Sequence, residues 1–226
     1  MRLPKIVLAI NYVNYRNVLR NELQSVAMEV MVERKLQNVQ LVSFNLAIDN
    51  TVSIHPAFHV FRNLRRDSAV TIQNNRHLPY IKEIFDNCVQ MKCDVFGYIN
   101  SDILLPKNFF RIFNKKTNAY IFVRTDIENI TARDYINEKR KERWKGHPGC
   151  DGIFFKRNWW VRNRNKFHND MILGECEWDL YYRRIIKECN AGHVEKRILD
   201  HVFHETTWTS TSNGAKNNLR INGGAI

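Results

Sequence analysis

Apolar residues along the chain fall in short runs divided by polar steps, and the runs keep two different periods. Lys5 to Val13 is a near-continuous apolar run of strand length, closed by the polar and aromatic loop Asn11-Tyr12-Val13-Asn14-Tyr15. From Val18 the spacing changes: Leu19, Leu23, Val26 and Val30 recur at helical intervals and predict a helix to about Leu36. Gln40 to Ile48 then reads as a second strand, and Ala69 to Ile72 as a short third. Gln73-Asn74-Asn75-Arg76-His77 is a polar connector, after which Pro79 suits a first helical turn and Leu78, Ile81, Ile84, Phe85, Cys88 and Val89 mark a helical face. That helix feeds the apolar run Cys93 to Ile99, which enters the polar step Asn100-Ser101-Asp102 and ends at Pro106.

The alternation predicts an α/β fold: a single domain with a mostly parallel central sheet flanked by helices. Further elements are a short helix near Pro106 to Phe113, strands at Ala119 to Val123 and Gly152 to Lys156, and a helix with Trp178, Tyr182, Ile185, Ile186 and Cys189 on one face. Ile198 to Phe203 reads as the last strand, and the polar tail 209–226 as a loop or frayed end.

Composition changes this picture little, since 44% hydrophobic and 26% charged residues in a chain of 226 suit one packed domain. Charge changes it more. Lys and Arg number 35 against 23 Asp and Glu, giving +12, a balance that favours polyanionic partners. No run approaches the roughly 20 apolar residues of a membrane span, and the first run is too short for a signal-peptide core, so a cytoplasmic protein is expected (host cytoplasm if phage-encoded). Five cysteines without a CxxC pair point to reduced thiols, not to a zinc cluster or a disulfide framework. Oligomeric state is open.

Four stretches carry candidate chemistry. Asn100-Ser101-Asp102 follows a buried strand, where open α/β sheets hold ligands, although these are also ordinary turn residues. Asp151 sits between Gly149 and Gly152, where backbone approaches a ligand closely. Gly174-Glu175-Cys176-Glu177-Trp178-Asp179 opens a helix, and His201-Val202-Phe203-His204 closes a strand.

Taken in this order the stretches resemble the GT-A glycosyltransferases, nucleotide-sugar-dependent enzymes in which an aspartate motif follows the central strand. The likeness runs from the first strand to about Trp208, giving a domain over 1–208 with a donor-binding half of about 1–105 and an acceptor-side half of about 106–208. Asn100-Ser101-Asp102 stands for the family's Asp-x-Asp, with Asn replacing the first Asp. The resemblance implies Mn²⁺ or Mg²⁺ held by Asp102 and a C-terminal histidine, His204 first and His201 second. It implies a general base among Asp179, Glu177 and Asp151, Asp179 foremost. It places the nucleotide of a nucleoside diphosphate sugar, a UDP-sugar favoured, near Asn11, Tyr12, Asp49, Asn74, Arg76, Asn100 and Ser101. The implied reaction moves a hexose to an acceptor hydroxyl.

Residues 138–166 hold ten basic residues against three acidic ones, interleaved with Trp144, Trp159 and Trp160. Such a segment can neutralise phosphates and stack on bases, so a nucleic acid acceptor is expected, with a hydroxymethylated base in DNA favoured. The phage-type DNA glucosyltransferases set that precedent at family level. A saccharide or lipid-linked acceptor is the alternative, and a basic nucleic-acid-binding module without catalysis is the rival from another class. A nucleotidyltransferase is disfavoured because the loop after the first strand has no Gly to cradle phosphate.

Overall fold

The computed structural model describes residues 3–49, 54–114, 116–138, 143–203 and 211–223, with backbone alone for 143–148. Eight strands form one sheet: β1 (Ile6–Ile10), β2 (Val39–Leu46), β3 (His59–Leu64), β4 (Val95–Ile99), β5 (Ile103–Leu104), β6 (Ala119–Ile127), β7 (Arg143–Lys156) and β8 (His193–Val202). Their spatial order is β3-β2-β1-β4-β7-β6-β8-β5. The helices are α1 (Val18–Arg34), α2 (Ser68–Thr71), α3 (Ile81–Cys88), α4 (Ala132–Ile136), α5 (Arg157–Asn163), α6 (Trp178–Glu188) and α7 (Asn213–Ile221).

The sheet is mixed, which corrects the expectation of a mostly parallel one. The β1, β2, β3 and β4 ladders are parallel, whereas β7 runs antiparallel to both β4 and β6, and β5 antiparallel to β8. Since β8 is parallel to β6, the strands β1, β2, β3, β4, β6 and β8 all point the same way. Their carboxyl ends therefore open at one edge, which is the geometry that places a site there.

Both faces are covered, which explains the unbroken apolar runs. Val7 and Ala9 of β1 pack with Phe85 of α3, Trp160 of α5 and Tyr182 of α6, while Ile6, Leu8 and Ile10 pack with Leu23, Ala27 and Met28 of α1. Gly97 in β4 is a close-approach glycine. A Cβ there would lie 2.2 Å from Phe154 Cγ and 2.4 Å from the Ile153 carbonyl oxygen on β7.

Three further expectations are corrected. Ala69 to Ile72 is not a strand: Asp67 caps Ala69 N with its side chain at 2.9 Å, and the segment winds into α2. The third strand is instead His59–Leu64, an edge strand with only Leu64 buried and hence no apolar run to reveal it. The described part of the tail, 211–223, is not a loop, because Ser212 caps α7 and Asn218, fully buried, donates to the Ile172 carbonyl at 2.9 Å. The short helix near Pro106 reduces to a single 3-10 turn at Phe109–Arg111.

Candidate active site

A cleft of about 630 Å³ opens at the carboxyl ends of the strands. Asn100, Ser101 and Asp102 line it after β4, Arg124 from β6, His201 from β8, Asn11, Tyr15 and Arg16 from the β1–α1 connection, and Arg20 from the first turn of α1. Arg76, His77, Gly174 and Trp178 form the opposite wall.

The turn after β4 is built by buried polar contacts. Ser101 Oγ donates to Gln24 Oε1 at 2.6 Å, and the Gln24 amide in turn donates to the Val13 carbonyl at 2.8 Å. Gln24, almost wholly buried on α1, thus fixes both the aspartate turn and the loop after β1. Asn100 Nδ2 donates to Asp151 Oδ1 at 2.9 Å. An aspartate at position 100 would set a like charge against buried Asp151, which gives a physical reason for Asn there.

Asp102 is joined to a line of charges across the end of the sheet. Its Oδ2 lies 3.5 Å from His201 Nε2, and His201 Nδ1 is 2.9 Å from Asp126 Oδ1. Arg124 Nε donates to the same Asp126 oxygen at 3.1 Å, and its NH1 donates to Asp151 Oδ1 at 2.8 Å. Burial alone would lower the His201 pKa, but the carboxylates of Asp102 and Asp126 outweigh it and raise it to about 9. Burial raises the Asp151 carboxyl to about 6 against the opposing pull of Arg124. Asp151 Oδ2 is fully enclosed and has no hydrogen-bond partner among the described residues.

Arginines line the cleft on both sides. Burial raises the Tyr15 hydroxyl pKa, Asp102 raises it further, and Arg20 and Arg76 pull it down, so this hydroxyl feels the aspartate and both arginines at once. Arg76 NH2 donates to the Gly174 carbonyl at 2.8 Å and lies 3.1 Å from buried Glu175 Oε1. His77 Nδ1 is 2.6 Å from Asp67 Oδ2.

Of the residues the sequence nominated, the fold gathers Asn11, Arg76, Asn100, Ser101, Asp102 and His201 in the cleft. Asp151 lies behind Asn100. Asp179 adjoins Trp178 at the start of α6, its Oδ2 accepting from Cys150 N at 2.8 Å. Burial raises its carboxyl pKa and backbone hydrogen bonds restrain the rise. Glu177 accepts from Asn222 Nδ2 at 2.7 Å. Tyr12 and Asn74 are buried in polar contacts, Asn74 Nδ2 reaching Glu175 Oε1 at 3.2 Å, and Asp49 closes its own turn by accepting from Leu46 N at 3.0 Å. His204 lies outside the described residues, as do Lys139, Arg140, Lys141 and the side chains of Arg143, Trp144 and Lys145. Trp159 and Trp160 belong to the core, so they are not available to stack on a base.

Arg124 and Asp126 escaped the sequence reading. They lie on β6 beyond Val123, where its apolar run stops, and only the pairing of β6 with β8 places Asp126 opposite His201. Gln24 escaped it as well, being one polar residue on an otherwise apolar helix face.

The chain matches no family model and no curated protein. It is similar to a solved structure described as mannosyltransferase PcManGT from Pyrobaculum calidifontis in complex with GDP-Man and Mn2+, with 10% identity and a TM-score of 0.49. The match covers 92% of this chain and 59% of that one, so this chain spans less than two thirds of that protein's length. At that similarity nothing about chemistry passes from one protein to the other.

Proposed function

We propose that the chain is a metal-dependent glycosyltransferase that moves a hexose from a nucleoside diphosphate sugar to an acceptor hydroxyl. The observation that carries the reading is Asp102 facing His201 Nε2 in an arginine-lined cleft, with His201 Nδ1 held by Asp126. A metal-bound imidazole is commonly oriented in this way, by a carboxylate on its other ring nitrogen.

The donor set fits a hard divalent cation. Among the described residues no group of three or more His, Cys, Asp and Glu is arranged to hold a metal. Asp102 and His201 therefore offer two protein ligands, which is enough for an ion that keeps several waters and takes phosphate oxygens from its substrate. Imidazole makes Mn²⁺ the better partner than Mg²⁺. When bound, the ion would stabilise the charge that accumulates on the nucleoside diphosphate as the glycosidic bond breaks.

The remaining roles fall to the chain's own side chains. Arg20 and Arg76 attract the diphosphate, and Trp178 and Tyr98, in edge-to-face contact at 5.8 Å between ring centroids, give the cleft an apolar wall. Arg124 bridges the carboxylates of Asp126 and Asp151 and so keeps His201 and Asn100 in place. Asp179 is the proposed base, resting on its position beside Trp178 and on a carboxyl whose pKa is shifted toward the range of a general base. A DNA base as acceptor keeps the support of net charge, while Trp159 and Trp160, being buried, lend it none.

Calorimetric titration with UDP-sugars and GDP-sugars in the presence of Mn²⁺ tests the reading. Binding of one nucleotide sugar that needs Mn²⁺, and disappears in Asp102→Ala, is the expected result. Equal binding without metal, or in that variant, refutes the metal assignment.

A further inference from the structure

Glu175 follows Gly174 of the cleft wall and is itself only 3% exposed. Its Oε1 lies 3.1 Å from Arg76 NH2 and accepts from Asn74 Nδ2 at 3.2 Å, while its Oε2 accepts from Ser212 Oγ at 3.0 Å. Burying a carboxyl group costs free energy unless donors surround it, and here two distant stretches of chain supply them. Arg76 NH2 also donates to the Gly174 carbonyl at 2.8 Å, so the guanidinium is gripped at two neighbouring points. Within the same turn Glu177, at φ 72°, occupies the left-handed region that a side chain disfavours, and only surrounding contacts can keep it there.

Helix α7 supplies those contacts. Besides the Ser212 bond to Glu175, Asn218 Nδ2 donates to the Cys176 carbonyl at 2.9 Å, and Asn222 Nδ2 donates to Glu177 Oε2 at 2.7 Å. The same helix reaches the connector that carries Arg76. Gly214 N donates to Asn74 Oδ1 at 3.2 Å, and Asn213 Nδ2 donates to the Gln73 carbonyl at 3.0 Å. Gly214 packs directly on the carboxyl-bearing side chain, since a Cβ there would lie 2.7 Å from Glu175 Cγ. One helix thus fixes both the arginine connector and the carboxyl group that the arginine meets.

We propose that Glu175 is a positioning residue: held by α7, it fixes the Arg76 guanidinium in the cleft as a preordered contact for a diphosphate. The inference rests on the diphosphate contact proposed for Arg76 above. Arg76 lines the cleft together with Arg16 and Arg20, and its charge reaches the Tyr15 hydroxyl, whose pKa it pulls down. A carboxyl group beside an arginine offsets part of its charge, which by itself weakens anion binding. What Glu175 gives in return is order, because an arginine already immobilised loses less side-chain freedom when the anion arrives. The two effects have opposite signs, so the change in affinity on removing Glu175 tells which one wins.

Calorimetric titration of the full chain with inorganic pyrophosphate, without metal or sugar, tests the positioning. Arg76→Ala weakens binding by about tenfold or more, through loss of a charge-assisted contact. Glu175→Ala weakens it by about threefold to tenfold, the cost of reordering one long side chain. Glu175→Gln keeps an acceptor oxygen for Arg76 without the charge and weakens binding by about twofold. In an Arg76→Ala background both substitutions at Glu175 leave the affinity unchanged, a coupling that a role confined to stability would not produce. If Glu175→Ala fails to fold in a thermal melt, the Glu175→Gln cycle decides alone. The proposal is overturned if the Glu175 variants bind pyrophosphate as tightly as the wild type or more tightly, or if their losses persist undiminished without Arg76. It falls together with the Arg76 contact if Arg76→Ala binds as the wild type does, or if the wild type binds no pyrophosphate. A chain that shows the coupling yet transfers no hexose refutes the reaction proposed above and leaves the positioning of Arg76 standing.

Discussion

Asp126 provides a demanding test of the site, because it lies outside the cleft lining yet sets the histidine. Its Oδ1 meets His201 Nδ1 at 2.9 Å and receives Arg124 Nε at 3.1 Å. Asp126→Ala removes the group that orients the imidazole, and loss of such an outer partner costs on the order of 10- to 100-fold in metal affinity. That corresponds to roughly 1.4 to 2.7 kcal/mol. Asp126→Asn keeps the shape and an acceptor oxygen for Nδ1, so it should fall between the wild type and the alanine variant. The assay is a Mn²⁺ titration in the presence of nucleoside diphosphate, read by the paramagnetic resonance of free Mn²⁺, with a thermal melt confirming that each variant is folded. A dissociation constant within about twofold of wild type for a folded Asp126→Ala protein would show that His201 is not a metal ligand, or that Asp126 does not position it.

Other outcomes follow from the same structure. Gly97→Ala places a methyl carbon against the Ile153 carbonyl and the Phe154 ring, so it should destabilise by about 3 kcal/mol or more in chemical denaturation. Wild-type stability there would mean that β4 and β7 are not packed so closely. The buried Asp151 carboxyl, raised to about 6 in the fold from an ordinary value near 3.8, binds more protons folded than unfolded between those values. Stability should therefore fall as pH rises from about 4 to 6, by up to about 3 kcal/mol, and Asp151→Asn should flatten that slope; an unchanged slope contradicts the assignment. Asp179→Asn should lower donor turnover by about 100-fold while nucleotide-sugar binding persists, and unchanged turnover removes Asp179 as the base.

The layered α/β architecture and most of the elements that build the cleft are legible in the order of apolar and polar residues. Strands buried on both faces are mostly apolar, so β1, β4 and the first half of β6 are near-continuous runs and β2 is mostly apolar, and α1, α3 and α6 carry the 3.6-residue period of helices packed on a sheet. The same order also marked Asn100-Ser101-Asp102 as a candidate, because a polar step after a buried strand is a local signal. The elements it missed lacked such a signal. The edge strand His59–Leu64 is mostly exposed and alternates too little to declare itself, and α7 is polar because its buried residue, Asn218, is satisfied by hydrogen bonds.

What Asp102 faces is set by the folding of distant segments together. Its partner His201 is 99 positions away in the chain, and His201 depends on Asp126, brought opposite it by the parallel pairing of β6 with β8. Asp126 is held in turn by Arg124, whose other arm reaches Asp151 and through it Asn100. Electrostatic contacts of this kind act over a few ångströms of space, whatever the separation in sequence. The direction of β7 is of the same kind: a strand buried on both faces reads alike whether its neighbours run with it or against it, so the mixed sheet could be known only once its hydrogen bonds were seen.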